Sequence, residues 1–287
     1  MLKSLIGSAV LAVALGANPA AAKPALWQVS DKDSTVYLFG TVHVLDPNIS
    51  WRDARLENAL AKANEIWFEL DFDQASNPAN IAPLQILLVD PANPLSKKLT
   101  PEQHKRFVEA AAKLGLPAAQ MEIFRPWFAA LNMSIASLTK AGASPDSGVD
   151  QILFKGRGER KLSTFETLEQ QFRTFADLPP EAEIQFLIET LDTLDEGPQY
   201  FKQLVDAWQA GDDKALAELV VNPALKLSPQ VYEALFKNRN IAWAERLDTE
   251  MKGAGVDFVA VGAGHLVGPD AVQALLRKKG YTVKRIN

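Results

Sequence analysis

Two of the three histidines in this chain occupy the same place in one four-residue pattern. Gly40-Thr41-Val42-His43 stands near one end of the chain and Gly262-Ala263-Gly264-His265 near the other. Each follows a run suited to a buried strand, Thr35-Val36-Tyr37-Leu38-Phe39 before the first and Val256 to Val261 before the second. Glycine fills only 16 of 287 positions, so its recurrence three residues ahead of both histidines is not well explained by chance. A strand ending in glycine can turn sharply and aim the next side chains into the crevice at the carboxyl ends of an α/β sheet, where such sheets bind ligands. The third histidine, in Pro101-Glu102-Gln103-His104-Lys105, falls on a polar helix face and reads as solvated.

The surrounding elements repeat in order. Residues 25–29 and 35–39 read as hairpin strands around Asp31-Lys32-Asp33-Ser34. Leu56, Ala59, Leu60 and Ala63 then mark a helix over 52–63, and Ile66 to Leu70 a buried strand. The C-terminus gives a strand, the second His turn, a helix from Pro269 to Lys279 stopped by Gly280, and a last strand from Tyr281 to Ile286. Between them, residues 75 to 252 read mostly as amphipathic helix. One helix is capped by Thr100 with Pro101 at its first position, another runs from Ser228-Pro229 to Met251, and a short strand covers Lys161 to Phe165. The fold class is therefore α/β with some α+β character: a mixed central sheet built from both chain ends, with a large helical insert at about 75–252.

Lys3, the apolar run Leu5 to Ala17 and Ala20-Ala21-Ala22 form the pattern of a secretory leader, too short to span a bilayer. The expectation is a signal peptide over 1–22, a single domain over 23–287, no stable membrane insertion after cleavage, and a periplasmic or secreted location. The chain has no cysteine, which excludes thiolate metal sites and cysteine nucleophiles. A net charge of −5 leaves no general basic field, so nucleic acid is not an expected partner.

Two neutral imidazoles brought to one crevice, His43 and His265, lack only an oxygen ligand to hold a divalent cation. Hydrogen bonding of each within its own turn is the plainer alternative. Glu69, in the apolar strand Trp67-Phe68-Glu69-Leu70, needs a partner, a proton or a cation, and is a candidate third ligand or general base. Glu166 stands at the end of the short strand, where it also suits the start of the next helix. Arg239, beside Asn240 on an amphipathic helix, could clamp an oxyanion, hold Glu69 or Glu166, or lie solvated. Gly262-Ala263-Gly264 also has the look of a phosphate-cradling turn, but no acidic residue follows at the required distance.

At these residues the sequence resembles the TraB/GumN family, which includes the animal Tiki proteases. The resemblance rests on Leu26-Trp27, Leu38-Phe39-Gly40-Thr41-Val42-His43, Glu69, Gly148-Val149-Asp150, Phe165-Glu166-Thr167, Arg239-Asn240 and Val261 to Leu266, with Gly280-Tyr281 near the end. It implies a fold similar to erythromycin-esterase-like and haem-uptake ChaN-like proteins. It also implies a metal-dependent peptidase site of His43, Glu69 and His265, with Glu166, Arg239 and Asn240 around them and Mn²⁺, Co²⁺ or Zn²⁺ as the ion. The expected function is an exported metal-dependent hydrolase taking a peptide or small molecule in its cleft. The alternatives are a non-catalytic binding protein for peptide, polysaccharide or a haem-like ligand, and an accessory factor in envelope or exopolysaccharide assembly.

Overall fold

A computed structural model describes residues 22–194, 196–227 and 229–287. The expected leader, up to Ala21, and the helix-start role of Ser228 lie outside these residues. Six strands form one mixed sheet in the order β4-β3-β5-β2-β1-β6. They are β1 (Leu26–Ser30), β2 (Ser34–Thr41), β3 (Glu65–Phe68), β4 (Lys161–Thr164), β5 (Gly255–Gly262) and β6 (Thr282–Ile286). The expected hairpin is present, with Trp27 opposite Leu38. The C-terminal strand β5 lies between β2 and β3, parallel to both. Because β1 pairs antiparallel with both β2 and β6, it alone runs against the other five.

Both faces of the sheet are covered. Tyr37, Phe39, Ile66, Phe68 and Phe258 look to one side, where they meet Trp51, Leu56, Phe154 and Trp208. Val36, Leu38, Trp67, Val259 and Val261 look to the other and pack on Trp243, Leu247, Val272 and Leu276. Each fully buried Leu or Phe contributes about 1.5–3 kcal/mol relative to exposure, and the period-two alternation of strand side chains distributes these contacts over both faces. The helical insert has a core of its own, Phe107, Ala111, Met133 and Leu187, between helices Pro101–Leu114, Pro126–Lys140 and Pro180–Thr193. The buried Arg125–Glu183 pair ties the latter two helices together.

The first of these helices has the expected capping box, Thr100 with Gln103. Three sequence expectations change. The segment read as one helix through Met251 passes from α-helix (Pro229–Tyr232) through a π-helical turn (Glu233–Lys237) into helix Asn238–Glu250. The last helix is Val272–Lys278 and does not start at Pro269. Asp270 instead accepts from the Tyr232 hydroxyl at 2.7 Å, and its carbonyl accepts from Asn240. His104 is not merely solvated: its ring pairs with Glu122. Among the described residues, no helix is long and apolar enough to cross a membrane.

At the amino ends of the strands, Glu65 and Asp257 face one another across β3 and β5. Lys161 holds Glu65 Oε2 at 2.8 Å, while Oε1 has no partner. Burial, then Glu65 and Glu250, push Asp257 up to about 6 against the opposing pull of Lys161. A carboxyl raised in the fold above its ordinary value favours the folded state at low pH, and that contribution is lost as pH rises through the folded value. Asp257→Asn is therefore expected to raise the melting temperature at pH 8 relative to the parent chain, with the gap closing toward pH 4. Thermal melts across that range check this; a gap independent of pH would contradict it.

Candidate functional site at the carboxyl ends of four parallel strands

The residues singled out in the sequence arrive from four neighbouring parallel strands. His43 follows β2, Glu69 follows β3, Glu166 follows β4 and His265 follows β5. Thr41 and Gly262 are register partners, so both His turns leave the sheet side by side. Beyond β3 and β4 the pairing continues, Glu166 N–H donating to the Glu69 carbonyl at 2.8 Å. This brings both glutamates up from below.

The two repeated glycines serve a purpose different from the expected sharp turn. Neither has a positive φ; what matters is the missing Cβ. At Gly40 a Cβ would lie 2.9 Å from the Ala263 Cα, so glycine lets the two turns close on each other. At Gly262 it would lie 3.1 Å from Glu69 Oε1, 3.3 Å from His43 Nε2 and 3.6 Å from His265 Cδ2. One point within reach of all three means that none of them is more than about 7 Å from another, the span of a single ligand site.

Arg239 is the centre of the buried half. Nε and Nη2 grip Glu166 at 2.7 and 2.9 Å, Nη2 also meets Glu69 Oε2 at 2.7 Å, and Nη1 donates to His265 Nε2 at 3.1 Å and to the Leu235 carbonyl. A guanidinium has five N–H groups, and these contacts use its three nitrogens fully. The side chain is therefore a brace, with no donor left to clamp an oxyanion. Trp243 Nε1 donates to Glu166 as well, and its ring lies 4.3 Å from that of His265.

Protonation follows from these partners. Burial pushes Glu69 up, but Arg239, the two histidines and the Gly262 N–H together hold it well below the usual carboxylate range. Gly262 N–H donates to Oε1 at 2.7 Å and Gln171 to Oε2, and bonds to both oxygens favour the charged form. Burial, reinforced by Arg239 and His43 and opposed by Glu69, pushes His265 down to about 3. The neutral ring donates from Nδ1 to Asn240 Oδ1 at 2.6 Å and accepts from Arg239 at Nε2. Asn240 is 1% exposed and fixes that tautomer.

His43 is the opposite case. Its Nδ1 lies 2.5 Å from Asp150 Oδ2, and its side chain is 61% exposed, at the mouth of the cleft. Asp150, then Glu69, raise it to about 9 against burial and Arg239. Nε2 has no protein partner among the described residues. Asp150 itself is buried at the start of helix Val149–Lys155. It is delivered by Gly148, whose Cβ would lie 2.3 Å from the His43 carbonyl, and by the Val149 N–H bond to Val42. The sequence reading left Asp150 out of the site; only its place in Gly148-Val149-Asp150 pointed to it.

The family model described as TraB/PrgY/gumN family matches residues 25–285. An uncharacterized protein of Treponema pallidum (strain Nichols) is 22% identical over 88% of this chain and 80% of its own length. The uncharacterized protein YbaP of Escherichia coli (strain K12) is 23% identical over 84% of this chain and 87% of its own. No solved structure matches.

Two imidazoles and a carboxylate are suitable donors for a divalent cation, but their placement does not fit one. His265 Nε2 and Glu69 Oε1 are 3.8 Å apart, yet Arg239 already donates to that nitrogen and to the same carboxylate. Among the described residues, no group of three or more His, Asp or Glu side chains is placed to hold a metal ion. A cation would have to displace a guanidinium. Arg239→Met leaves two buried carboxylates uncompensated and is expected to lose about 3–5 kcal/mol of stability. Mn²⁺ or Co²⁺ is expected to restore part of that loss while leaving the parent chain's melting temperature unchanged. Melts of both proteins with and without the ions check this; equal stabilisation of the parent would show that Arg239 does not compete with the ion.

Because Gly262 has φ −49 and ψ 135, alanine meets no backbone strain there and would only fill the space among the three side chains. Gly262→Ala is expected to keep the melting temperature within a few degrees while abolishing whatever the cleft does. Parallel melts and ligand or turnover assays check it.

Proposed function

The chain belongs to the TraB/PrgY/gumN family, and on that footing we propose that it is an exported hydrolase that cleaves peptide bonds in the His43 cleft. The observation that carries the reading is His43 itself: a histidine held by a buried aspartate, with its other nitrogen free, beside a buried neutral histidine and a carboxylate locked in its charged form. An imidazole oriented by a carboxylate at Nδ1 and open at Nε2 is the arrangement of a general base. Metal dependence, the expectation from the resemblance, requires Arg239 to withdraw from His265, so no step is assigned to an ion.

In this reading His43 Nε2 accepts a proton from a water held between it and the substrate carbonyl. The water oxygen bonds to the carbonyl carbon, the C–N bond breaks, and the same proton passes from His43 to the departing amine. The products are a carboxylic acid and an amine, with one water consumed. Asp150 holds the ring in the Nδ1–H tautomer and stabilises the imidazolium between the two transfers. Arg239, Glu69 and Asn240 keep His265 and the floor of the cleft in place.

Asp150 raises the His43 value to about 9, so a base at this position gains activity as pH rises toward 9. Removing the charge lowers that value toward the ordinary 6.5 for histidine. In Asp150→Asn the rising limb of kcat/KM is therefore expected to move to lower pH while its plateau falls. His43→Ala is expected to remove turnover at every pH. A pH profile of a cleaved peptide with the three proteins tests the reading; turnover that survives His43→Ala would overturn it.

A further inference from the structure

Two cavities meet at the histidines. One, of about 440 Å³, is the more aliphatic, with Leu138, Leu194, Leu204 and Val220 beside the rings of Phe201 and Phe236. The other, of about 550 Å³, is aromatic, with Phe72, Trp127, Phe128, Phe172 and Phe175 beside Leu131. Thr41, His43, Val44 and His265 line both and form the wall between them. The helix Pro126–Lys140 runs along both, giving Ser134, Ser137 and Leu138 to the first and Phe128, Leu131 and Asn132 to the second. Among the described residues, no Lys, Arg, Asp or Glu lines the first. In the second, Glu69, Asp150 and Arg239 are each paired at the histidine end. Sites of this size bind by burying apolar surface, with a few polar groups fixing orientation.

One polar group in the dividing wall is unused. Thr41 is 2% exposed, and its Oγ1 has no hydrogen-bond partner among the described residues. A buried hydroxyl without a partner is destabilising by about 1–3 kcal/mol, a burden that a ligand oxygen would relieve. Arg239, the side chain expected in the sequence to receive a developing oxyanion, has its donors committed elsewhere. Thr41 Oγ1 is an unpartnered donor two residues before His43.

We propose that the cleft takes an uncharged segment with an apolar side chain on each side of a central amide. One side chain enters the aliphatic chamber and the other the aromatic one, and the amide oxygen accepts from Thr41 Oγ1. Cleavage of that amide rests on the hydrolase reading above; occupancy of the two chambers does not. A charged side chain on either side would be desolvated without a counter-charge and is rejected.

The test uses the full chain and quenched fluorescent octapeptides whose central pair is Leu-Phe or Phe-Leu, or has Asp or Lys in place of either residue. Cleavage points are read by mass spectrometry, and binding is read by calorimetry with ketomethylene versions of the same peptides, which keep the carbonyl oxygen but have no C–N bond to break. The apolar pairs are expected to be turned over at least tenfold better than any charged one. Ser134→Phe fills one chamber and Leu131→Trp the other. Each is expected to suppress peptides with a bulky residue on one side only, and alanine on that side to restore them. Thr41→Val is expected to lower kcat roughly tenfold or more on every peptide without lowering the melting temperature, while Thr41→Ser retains activity.

Indifference to the central pair, or equal suppression of all peptides by both filling variants, would overturn the assignment. So would failure of every ketomethylene peptide to bind. If nothing is cleaved but those peptides bind with the same two-sided preference, the hydrolase reading falls and the chambers stand. A Thr41→Val protein that melts lower but turns over normally would make the hydroxyl structural.

Discussion

The site depends on one guanidinium. Arg239 is buried against two carboxylates and a neutral imidazole, and each of those groups would be expensive in that place without it. Glu69 stays charged because Arg239, the histidines and a backbone N–H face it. His265 stays neutral chiefly because it is buried, with the cation close by. Without the arginine, Glu69 would lose the strongest of the groups that keep it charged. The pair of helices that surround it, Asn238–Glu250 and the π-helical turn before it, are placed so that Phe236, Arg239, Asn240 and Trp243 all reach the His265 turn.

The buried and open halves divide the chemistry. His265, Glu69 and Arg239 are held by one another and by neighbouring donors, whereas His43 keeps one nitrogen for the cleft. The two histidines are alike in sequence and differ in protonation because His265 is buried beside Arg239, whereas His43 stands at the mouth of the cleft against Asp150. Asp150 is an anion and Asn240 is neutral. The repeat in the sequence is therefore a repeat of backbone geometry, and the surroundings of each ring set its chemistry.

Much of this was legible beforehand. Strand patterning and the repeated glycines predicted the hairpin, the central strands at both ends and the convergence of His43, Glu69 and His265. The amphipathic helix pattern offered Arg239, beside Asn240, as a holder of Glu69 or Glu166, and it holds both. What stayed hidden arises from long-range partners. The link of Asp150 to His43 passes through a loop more than a hundred residues away in the chain, and a solitary Asp after Gly148-Val149 has no periodicity to betray it. The commitment of every Arg239 donor could not be counted without coordinates. The π-helical turn at Glu233–Lys237 carries ordinary helix-forming residues, so nothing local marked it. At Gly40 and Gly262 the residue was read correctly and the reason was not: turn flexibility was expected, and close approach is what the geometry uses.

The strand order also bears on how the chain reaches this state. β5, at residues 255–262, lies between β2 and β3, so the two N-terminal strands cannot pair with each other in the finished sheet. They must wait, with their inner edges unpaired, for a strand made some two hundred residues later. Pairings this distant in sequence are slow to form, and unpaired edges are sites of misassociation until they do. A chain released before residue 262 would carry most of the helical core yet have a gap through its centre. The floor of the cleft and the closing of the sheet are then a single folding event, and a molecule that displays the cleft has been synthesised at least through β5.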